Sequence, residues 1–134
     1  MICAKSEAAR YQTSFSDGEH ACRADTTADK GGASSGFRPH GLLEAALATC
    51  VNMTVRMYAD HHEIPLQAVT TRVSIDRADP ARVVFRYEID LAGDLTEQKK
   101  ERLLGAASAC PVRKTLSRKI EFTLCNSVPD SAVR

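Results

Sequence analysis

Much of the fold follows from one stretch of the chain, PHGLLEAALATCVNMTVRMYADHH, which spans residues 39–62. Its apolar and small side chains recur every three or four residues, at Leu43, Leu47, Cys50, Thr54 and Met57. That spacing predicts a helix with one buried face, and Pro39 suits its first turn, where a missing N–H costs nothing. A helix of about 23 residues is roughly 35 Å long. We therefore predict a central helix that crosses the core.

Two strands and a loop are predicted before this helix. Residues 11–16 alternate in the manner of a half-buried strand, and residues 20–24 can form the return strand. Asp17-Gly18 between them predicts a two-residue hairpin turn, in which both central residues need positive φ. Residues 25–38 are polar and glycine-rich, which indicates a mobile loop that leads into the helix.

A second, longer hairpin and two further helices are predicted after the central helix. Residues 69–75 and 83–91 alternate apolar and polar side chains, so this hairpin has one dry face and one wet face. Residues 96–107 form a helix with a threonine at its N-cap, and Pro111 suits the first position of another helix. Residues 120–124 alternate like a last strand.

The resulting order, β-β-α-β-β-α-α-β, predicts an α+β fold in which an antiparallel sheet wraps the central helix. A chain of 134 residues is large enough for one domain with its own core. We therefore expect a single domain over residues 1–134, loosely ordered in residues 1–10 and 126–134.

Charge and cysteine content disfavour several classes of protein. Lys and Arg number 18 against 17 Asp and Glu, a net charge of +1 without the basic patch that a nucleic-acid partner requires. The longest apolar run is interrupted by Glu44 and Arg56 and is too short to span a membrane. The first residues lack the pattern of a signal peptide. Five cysteines without a CxxC pair disfavour a secreted disulfide framework and a zinc site, so we expect a cytoplasmic protein.

Cys110 is one candidate for a reactive residue. It occupies the predicted cap position just before a helix, where unpaired backbone N–H groups and the helix dipole stabilise a thiolate. Arg113 and Lys114 follow within one turn. A small capping residue without reactivity is the alternative, and the local sequence leaves both interpretations open.

Cys50 is the second candidate. It lies in the middle of the predicted helix, where the backbone amides are already paired, so the helix dipole gives little help. A buried core cysteine is the plainer interpretation. If Cys50 is reactive, a cation must come from elsewhere, and Arg10, Lys30 and Arg38 are the candidates in the N-terminal half.

The histidines offer weaker signals. His40 precedes Cys50 by about 15 Å of helix, so direct contact requires the chain to bend; it can guard a pocket mouth or be a surface residue. His61 and His62 point apart on a helix, which disfavours a metal between them. His20 has no evident partner. No metal site is predicted.

Three sets of short motifs stand out in the chain. They are Pro39-x-x-Leu42-Leu43-x-Ala45-Ala46-Leu47-Ala48-x-Cys50 with Met53-Thr54 and Tyr58-Ala59, then Gly93-Asp94-Leu95 with Arg102-Leu103-Leu104, and then Ala109-Cys110-Pro111-Val112-x-x-Thr115-Leu116. Their order and gaps, over about residues 30–124, resemble the OsmC/Ohr superfamily, in particular the OsmC-like branch with a Cys-Pro-Val second motif. Two cysteine motifs about 60 residues apart match at once, which makes the resemblance specific.

This resemblance implies a thiol-dependent peroxidase of oxidative-stress defence, built as an intertwined homodimer with its active sites at the subunit interface. Carried over, Cys50 attacks an organic hydroperoxide and Cys110 resolves the sulfenate as a disulfide, which an external dithiol reduces. No metal, haem, flavin or other cofactor is required. The expected apolar lining suits organic hydroperoxides; it consists of Leu43, Leu47, Met53 and Met57.

One position departs from the family pattern. The usual Pro-Glu before the helix is Pro39-His40 here, so the carboxylate that normally pairs with an activating arginine is missing. Arg38 and Arg10 are the candidates for that arginine, and His40 for a supporting role. Two other classes stay open: a redox-sensing or small-molecule-binding protein with little turnover, and a purely structural dimer.

Overall fold

The computed structural model describes residues 1–125. In chain order its strands and helices are β1 (Cys3–Ser6), β2 (Thr13–Ser16), β3 (Ala21–Ala24), α1 (Pro39–His61), β4 (Leu66–Asp76), β5 (Val84–Gly93), α2 (Glu97–Ala106) and α3 (Pro111–Leu116). Short 3₁₀ turns at Ala28–Lys30 and Ala107–Ala109 precede α1 and α3. The α+β class and antiparallel pairing are confirmed. Among the helices of residues 1–125, none is both long and apolar enough to cross a membrane.

The chain divides into two compact units. The first contains residues 1–42 with the described residues from 121 onwards, and the second contains residues 43–120. A single domain over the whole chain therefore stays a prediction, and its expectation for residues 126–134 lies outside the described residues.

The first unit holds an antiparallel sheet in the order β1-β2-β3. Its strand β1 lies within residues 1–10, which the sequence suggested would be loosely ordered. The four residues of β1 show no alternation of apolar and polar side chains, so nothing local indicates a strand. β1 forms because its backbone pairs with β2, from Cys3 opposite Ser16 to Ser6 opposite Thr13.

The hairpin between β2 and β3 has a different turn from the predicted one. Gly18 has a φ of 107°, but Asp17 is not among the residues with positive φ. Instead the Asp17 carboxylate accepts hydrogen bonds from the backbone N–H groups of Glu19 (2.9 Å) and His20 (2.7 Å). These bonds lower the pKa of Asp17. The imidazole Nδ1 of His20 also lies 3.2 Å from this carboxylate, so His20 has a partner after all.

The glycine-rich segment before α1 is held by a buried carboxylate. Asp25 accepts hydrogen bonds from the backbone N–H groups of Thr26 (2.7 Å), Ala33 (3.1 Å) and Ser35 (3.0 Å). A Cβ on Gly32 would lie 2.3 Å from the carbonyl oxygen of Thr26, so the segment closes tightly at this glycine. The predicted loop is therefore organised by a side chain, which periodicity does not reveal, and its mobility stays a prediction.

The second unit contains the predicted long hairpin. β4 and β5 pair over ten positions, with Val69 opposite Leu91 and Ile75 opposite Phe85, so their apolar faces coincide. The apolar positions on this face are mostly half-buried, whereas the intervening polar side chains are mostly exposed. The one-sided hairpin is therefore confirmed.

Polar side chains of α1 fix how the helix sits on this hairpin. Glu44 accepts a hydrogen bond from the N–H of Ile75 (2.9 Å), and the Asn52 amide donates to the carbonyl of Val69 (2.8 Å). Arg56 donates to the carbonyl of Leu66 (2.6 Å). All three therefore satisfy backbone groups on the outer edge of β4, which would otherwise be open to pairing with another chain.

This attachment turns α1 to a face other than the predicted one. The helix residues buried in the core cluster, with β4, β5 and α2, are Leu47, Val51, Val55 and Ala59. Of the predicted buried face, Leu43 and Met57 are 45% and 69% exposed. The apolar spacing did not reveal this, because the polar side chains of Glu44, Asn52 and Arg56 bind the sheet.

α1 consequently has a second apolar face, which we call the outer stripe. It consists of Leu43, Ala46, Cys50, Met53 and Met57. Their spacing alternates between three and four residues, the spacing of a helix seam that packs against another helix.

The predicted helix starts near the C-terminus are confirmed, but the last strand is not. The Thr96 hydroxyl accepts a hydrogen bond from the N–H of Lys99 (3.3 Å), and Pro111 opens α3. Residues 120–124 form no strand, and Phe122 and Leu124 are 94% and 102% exposed. The alternation is present in the sequence, but no neighbouring strand pairs with it in the described part of the chain.

Candidate functional site

α1 and α3 bring two cysteines together inside the second unit. Cys50 lies midway along α1, and Cys110 is the N-cap of α3, about 60 residues further along the chain. The two side chains are close enough for Cys50 to raise the pKa of the Cys110 thiol, and both are free thiols. Two thiols that are neighbours in this way are candidates for a disulfide.

Cys110 is fully buried, with 0% of its surface exposed. Burial raises the pKa of its thiol, and the neighbouring Cys50 raises it further. The N–H of Arg113 donates to the Cys110 sulfur at 3.5 Å. This hydrogen bond lowers the pKa of the thiol, but by less than burial raises it. The capping position was predicted correctly, but the stabilised thiolate was not, because desolvation of the sulfur outweighs the helix N-terminus.

Cys50 is half-buried and lies in the outer stripe at the margin of the core cluster. The neighbouring Thr54 hydroxyl donates to the carbonyl of Cys50 itself at 2.7 Å, so this hydroxyl serves the helix backbone. Cys50 is therefore not the fully enclosed core cysteine of the plainer interpretation. It is the more accessible sulfur of the pair.

The other predicted site residues lie in the first unit. Arg10, Arg38 and His40 are all exposed. Arg10 donates from Nη2 to the hydroxyl of Tyr11 (2.8 Å) and stacks over its ring. Arg38 lies near Asp29, whose pKa is lowered first by a hydrogen bond from Thr27 and then by nearby cations, including Arg38. Their described partners belong to their own unit, so any role toward Cys50 stays a prediction.

The expectation that His61 and His62 point apart at the end of α1 is wrong, because their rings contact each other. The rings of Tyr58 and His62 have centroids 4.2 Å apart, and the His61 and His62 rings meet edge to face at 4.9 Å. Within residues 1–125 there is no group of three or more His, Cys, Asp and Glu side chains that could hold a metal ion.

A cavity of about 380 Å³ lies between α1, the start of β5 and α3. We call it the α3 cavity, and its lining is Leu47, Val83, Val84, Phe85, Tyr87, Arg113, Leu116 and Ser117. Of the apolar lining predicted from sequence, Leu47 borders this space, whereas Leu43, Met53 and Met57 lie on the outer stripe. The lining from β5 and α3 is not predictable from sequence, because only the packing of the hairpin brings these residues together.

Comparison with known proteins identifies the family. Residues 31–124 match the sequence family described as OsmC-like protein. The chain belongs to the OsmC-like family. The matched region contains both Cys50 and Cys110, along with Arg38 and His40, whereas Arg10 precedes it. No protein in a search of curated sequences matches the chain.

Solved structures share the OsmC-like fold at low sequence identity. A Psychrobacter arcticus 273-4 protein named for osmotic stress induction and detoxification response has a TM-score of 0.72 at 24% identity, covering 85% of each chain. The OsmC-like protein of Mycoplasma pneumoniae has a TM-score of 0.72 at 19% identity, covering 87% of this chain and 85% of that one. An organic hydroperoxide resistance protein OsmC from Legionella pneumophila has a TM-score of 0.62 at 21% identity, covering 87% and 89%.

Proposed function

We propose that this OsmC-like protein is a thiol-dependent peroxidase that reduces organic hydroperoxides. The observation that carries the proposal is that the half-buried Cys50 thiol and the buried Cys110 thiol are neighbours, close enough for Cys50 to raise the pKa of Cys110. The name of the similar protein from Legionella pneumophila, an organic hydroperoxide resistance protein, supports the same chemistry. The proposed role is defence against oxidative stress in the cytoplasm.

The first step takes place at Cys50. Its thiolate attacks the outer oxygen of the hydroperoxide, the O–O bond breaks, and the departing alkoxide takes a proton to become an alcohol. Cys50 is thereby oxidised to a sulfenic acid, and the hydroperoxide is reduced by two electrons. The accessible sulfur is the one that a substrate can reach, which favours Cys50 for this role.

The second and third steps involve Cys110 and an external dithiol. The Cys110 sulfur displaces hydroxide from the Cys50 sulfenic acid, and the hydroxide leaves as water with the thiol proton. The dithiol then reduces the Cys50–Cys110 disulfide by exchange and is itself oxidised to a disulfide. A raised pKa keeps Cys110 a poor nucleophile toward peroxide but does not prevent its reaction with a sulfenate already in contact.

The outer stripe supports a homodimer as the active form. Large apolar side chains such as Met53 and Met57 are 59% and 69% exposed along a helix whose opposite face is already packed. Contiguous exposed apolar surface of this kind is typical of an interface. Because Cys50 belongs to the same stripe, a second copy seated there would enclose the reactive sulfur at the subunit interface.

We propose that activation of Cys50 needs a cation. Arg38 and Arg10 are the candidates, and His40 stands where the family has a glutamate. A neutral imidazole can accept a hydrogen bond from an arginine, and a protonated imidazole can itself favour the thiolate. The substitution is also the specific observation that favours a second function, a redox sensor or small-molecule binder with little turnover.

Peptide mapping after one equivalent of an alkyl hydroperoxide tests the mechanism. Each chain should lose about 2 Da, and the new crosslink should join Cys50 to Cys110. Cys22→Ser is the matched control, since Cys22 is an exposed cysteine on β3 and its loss should leave the crosslink in place. A dominant link through Cys3, Cys22 or Cys125 would contradict the proposal. Turnover with excess peroxide and dithiol then distinguishes an enzyme from a sensor.

A further inference from the structure

The core holds α3 less firmly than it holds α1 and α2. None of the six described residues of Pro111–Leu116 is buried, whereas α1 buries four residues and α2 buries Leu103 and Ala106. A helix this short is marginal by itself, because few hydrogen bonds offset the cost of its first turn. The order of α3 therefore depends strongly on what satisfies the N–H groups at its start.

The Cys110 sulfur is the N-cap of α3. It accepts a hydrogen bond from the N–H of Arg113 at 3.5 Å. The Arg113 side chain adds a longer-range bond from Nη1 to the carbonyl of Ser108 at 3.4 Å, on the turn that precedes the cap. One sulfur atom consequently has two functions, since it caps the helix and is also the proposed resolving thiol.

The capping bond and a disulfide compete for this sulfur. Two sulfurs come much closer together in a disulfide than as separate thiols, so at least one of them has to move. The backbone of Cys50 is fixed by the helix α1, whose neighbouring residues Leu47 and Val51 are 2% and 0% exposed in the core. The movement therefore falls on Cys110, whose sulfur leaves the N–H of Arg113.

A disulfide between Cys50 and Cys110 would not hold α3 in place of the lost cap. The bond closes a loop of residues 51–109, and α3 begins at Pro111, outside that loop. A crosslink stabilises a protein mainly by restricting the unfolded form of the loop that it closes. The loss of the cap therefore acts on α3 without an opposing gain.

We propose that α3 is a redox-sensitive switch, capped by the Cys110 thiol in the reduced protein and loosened when that sulfur forms the disulfide. This inference rests on the disulfide of the proposed function. In that reaction the two thiols lose two electrons and two protons, which the hydroperoxide takes up as it becomes an alcohol and water. Because α3 supplies Arg113, Leu116 and Ser117 to the α3 cavity, its loosening changes a surface that solvent reaches.

Amide hydrogen exchange in the reduced and oxidised protein tests the switch. Diamide makes the disulfide without a hydroperoxide, and a loss of about 2 Da verifies the product. We expect the N–H groups of residues 114–117 to exchange about fivefold faster in the disulfide form, which is the effect of losing an N-cap. α2 is capped by the Thr96 hydroxyl and is the internal control, with unchanged exchange. Equal or slower exchange of α3 in the disulfide form would overturn the switch.

Three variants separate the cap from the disulfide. Cys110→Ala removes the capping sulfur and should give fast exchange of α3 without any oxidant. Cys110→Ser keeps a capping atom and should keep the slow exchange. Cys50→Ser leaves the Cys110 cap in place and should make α3 insensitive to diamide. Slow exchange in Cys110→Ala, or a response to diamide in Cys50→Ser, would contradict the switch.

The choice of oxidant distinguishes the switch from the peroxidase. If diamide forms the disulfide and loosens α3 in a protein that alkyl hydroperoxides do not oxidise, the peroxidase is wrong and the switch stands. If the protein turns over hydroperoxide while α3 is equally protected in both forms, the switch alone is wrong. Failure of both oxidants to link Cys50 to Cys110 would overturn both proposals.

Discussion

Cys50 and Cys110 differ most clearly in how exposed their side chains are. The two thiols are neighbours, but Cys50 is half-buried whereas Cys110 is fully buried, so Cys50 is the one that a molecule from solution reaches more easily. A dithiol that reduces the disulfide would therefore attack at Cys50 and release Cys110. Because burial raises the pKa of the Cys110 thiol, Cys110 is a slow leaving group, and we expect this step to limit turnover.

Alkylation of the reduced protein should follow the same order. At neutral pH, iodoacetamide should modify Cys50 well before Cys110, because the raised pKa of Cys110 keeps it protonated and burial blocks the reagent. As pH rises through that raised value, the thiolate form appears and labelling of Cys110 should accelerate. Peptide-resolved mass spectrometry measures both rates, and equal labelling of the two sites at neutral pH would contradict the assignment.

Substitution of His40 should change the rate if this residue supports the activating arginine. His40→Glu introduces the residue that the family resemblance leads us to expect here, so we expect a faster rate with an organic hydroperoxide. Cys50→Ser should abolish turnover in either background. If His40→Glu and His40→Ala both leave the rate unchanged, His40 is only a surface residue, and the activation comes from another group.

The helices and hairpins show which features a pattern can reveal. The extent of α1, the long hairpin and both caps near the C-terminus were predictable, because each depends on residues close together in sequence. The rotation of α1 was not, since Glu44, Asn52 and Arg56 turn toward backbone groups of β4. The family resemblance suggested the pairing of Cys50 with Cys110. The helix cap suggested a lowered pKa for Cys110, whereas its burial, which raises the pKa, is known only from the packing of the chain.

Two glycines provide a matched test of the segment around Asp25. Gly32→Ala places a Cβ 2.3 Å from the carbonyl oxygen of Thr26 and 2.8 Å from the Asp25 carboxylate, so it should lower the free energy of unfolding by about 1–3 kcal/mol. Gly105→Ala adds a Cβ in open space within α2 and should stabilise the protein by roughly 1 kcal/mol. Urea unfolding measures both, and equal effects would show that the segment can open without cost.

Two surfaces of the chain bear on whether it forms the proposed homodimer. Residues 120–124 have the alternation of a strand but no strand partner in the described chain, and the outer stripe has the spacing of a seam without a second helix. A sequence pattern predicts that such an apolar surface is buried. It does not predict whether the residues that bury it belong to the same chain or to another one.

We expect a homodimer in sedimentation equilibrium at micromolar concentration. Met53→Glu introduces a carboxylate into the outer stripe and should shift the protein toward monomer, because an unpaired charge is costly to bury. Met53 is 59% exposed in the single chain, so thermal unfolding of the monomer should change little. Gln98→Glu, an exposed change on α2, is the control. A wild-type monomer at that concentration would contradict both the dimer and the interface site.

The position of Cys50 on the outer stripe has a thermodynamic consequence for this assembly. In the proposed dimer, the dithiol and disulfide forms would present different surfaces to the second copy on the outer stripe and would therefore differ in dissociation constant. Linkage requires that any such difference appear equally as a shift in midpoint potential between free and associated chains. For such a dimer, the protein concentration would set how readily the pair gives up electrons, and dilution alone would change its midpoint potential.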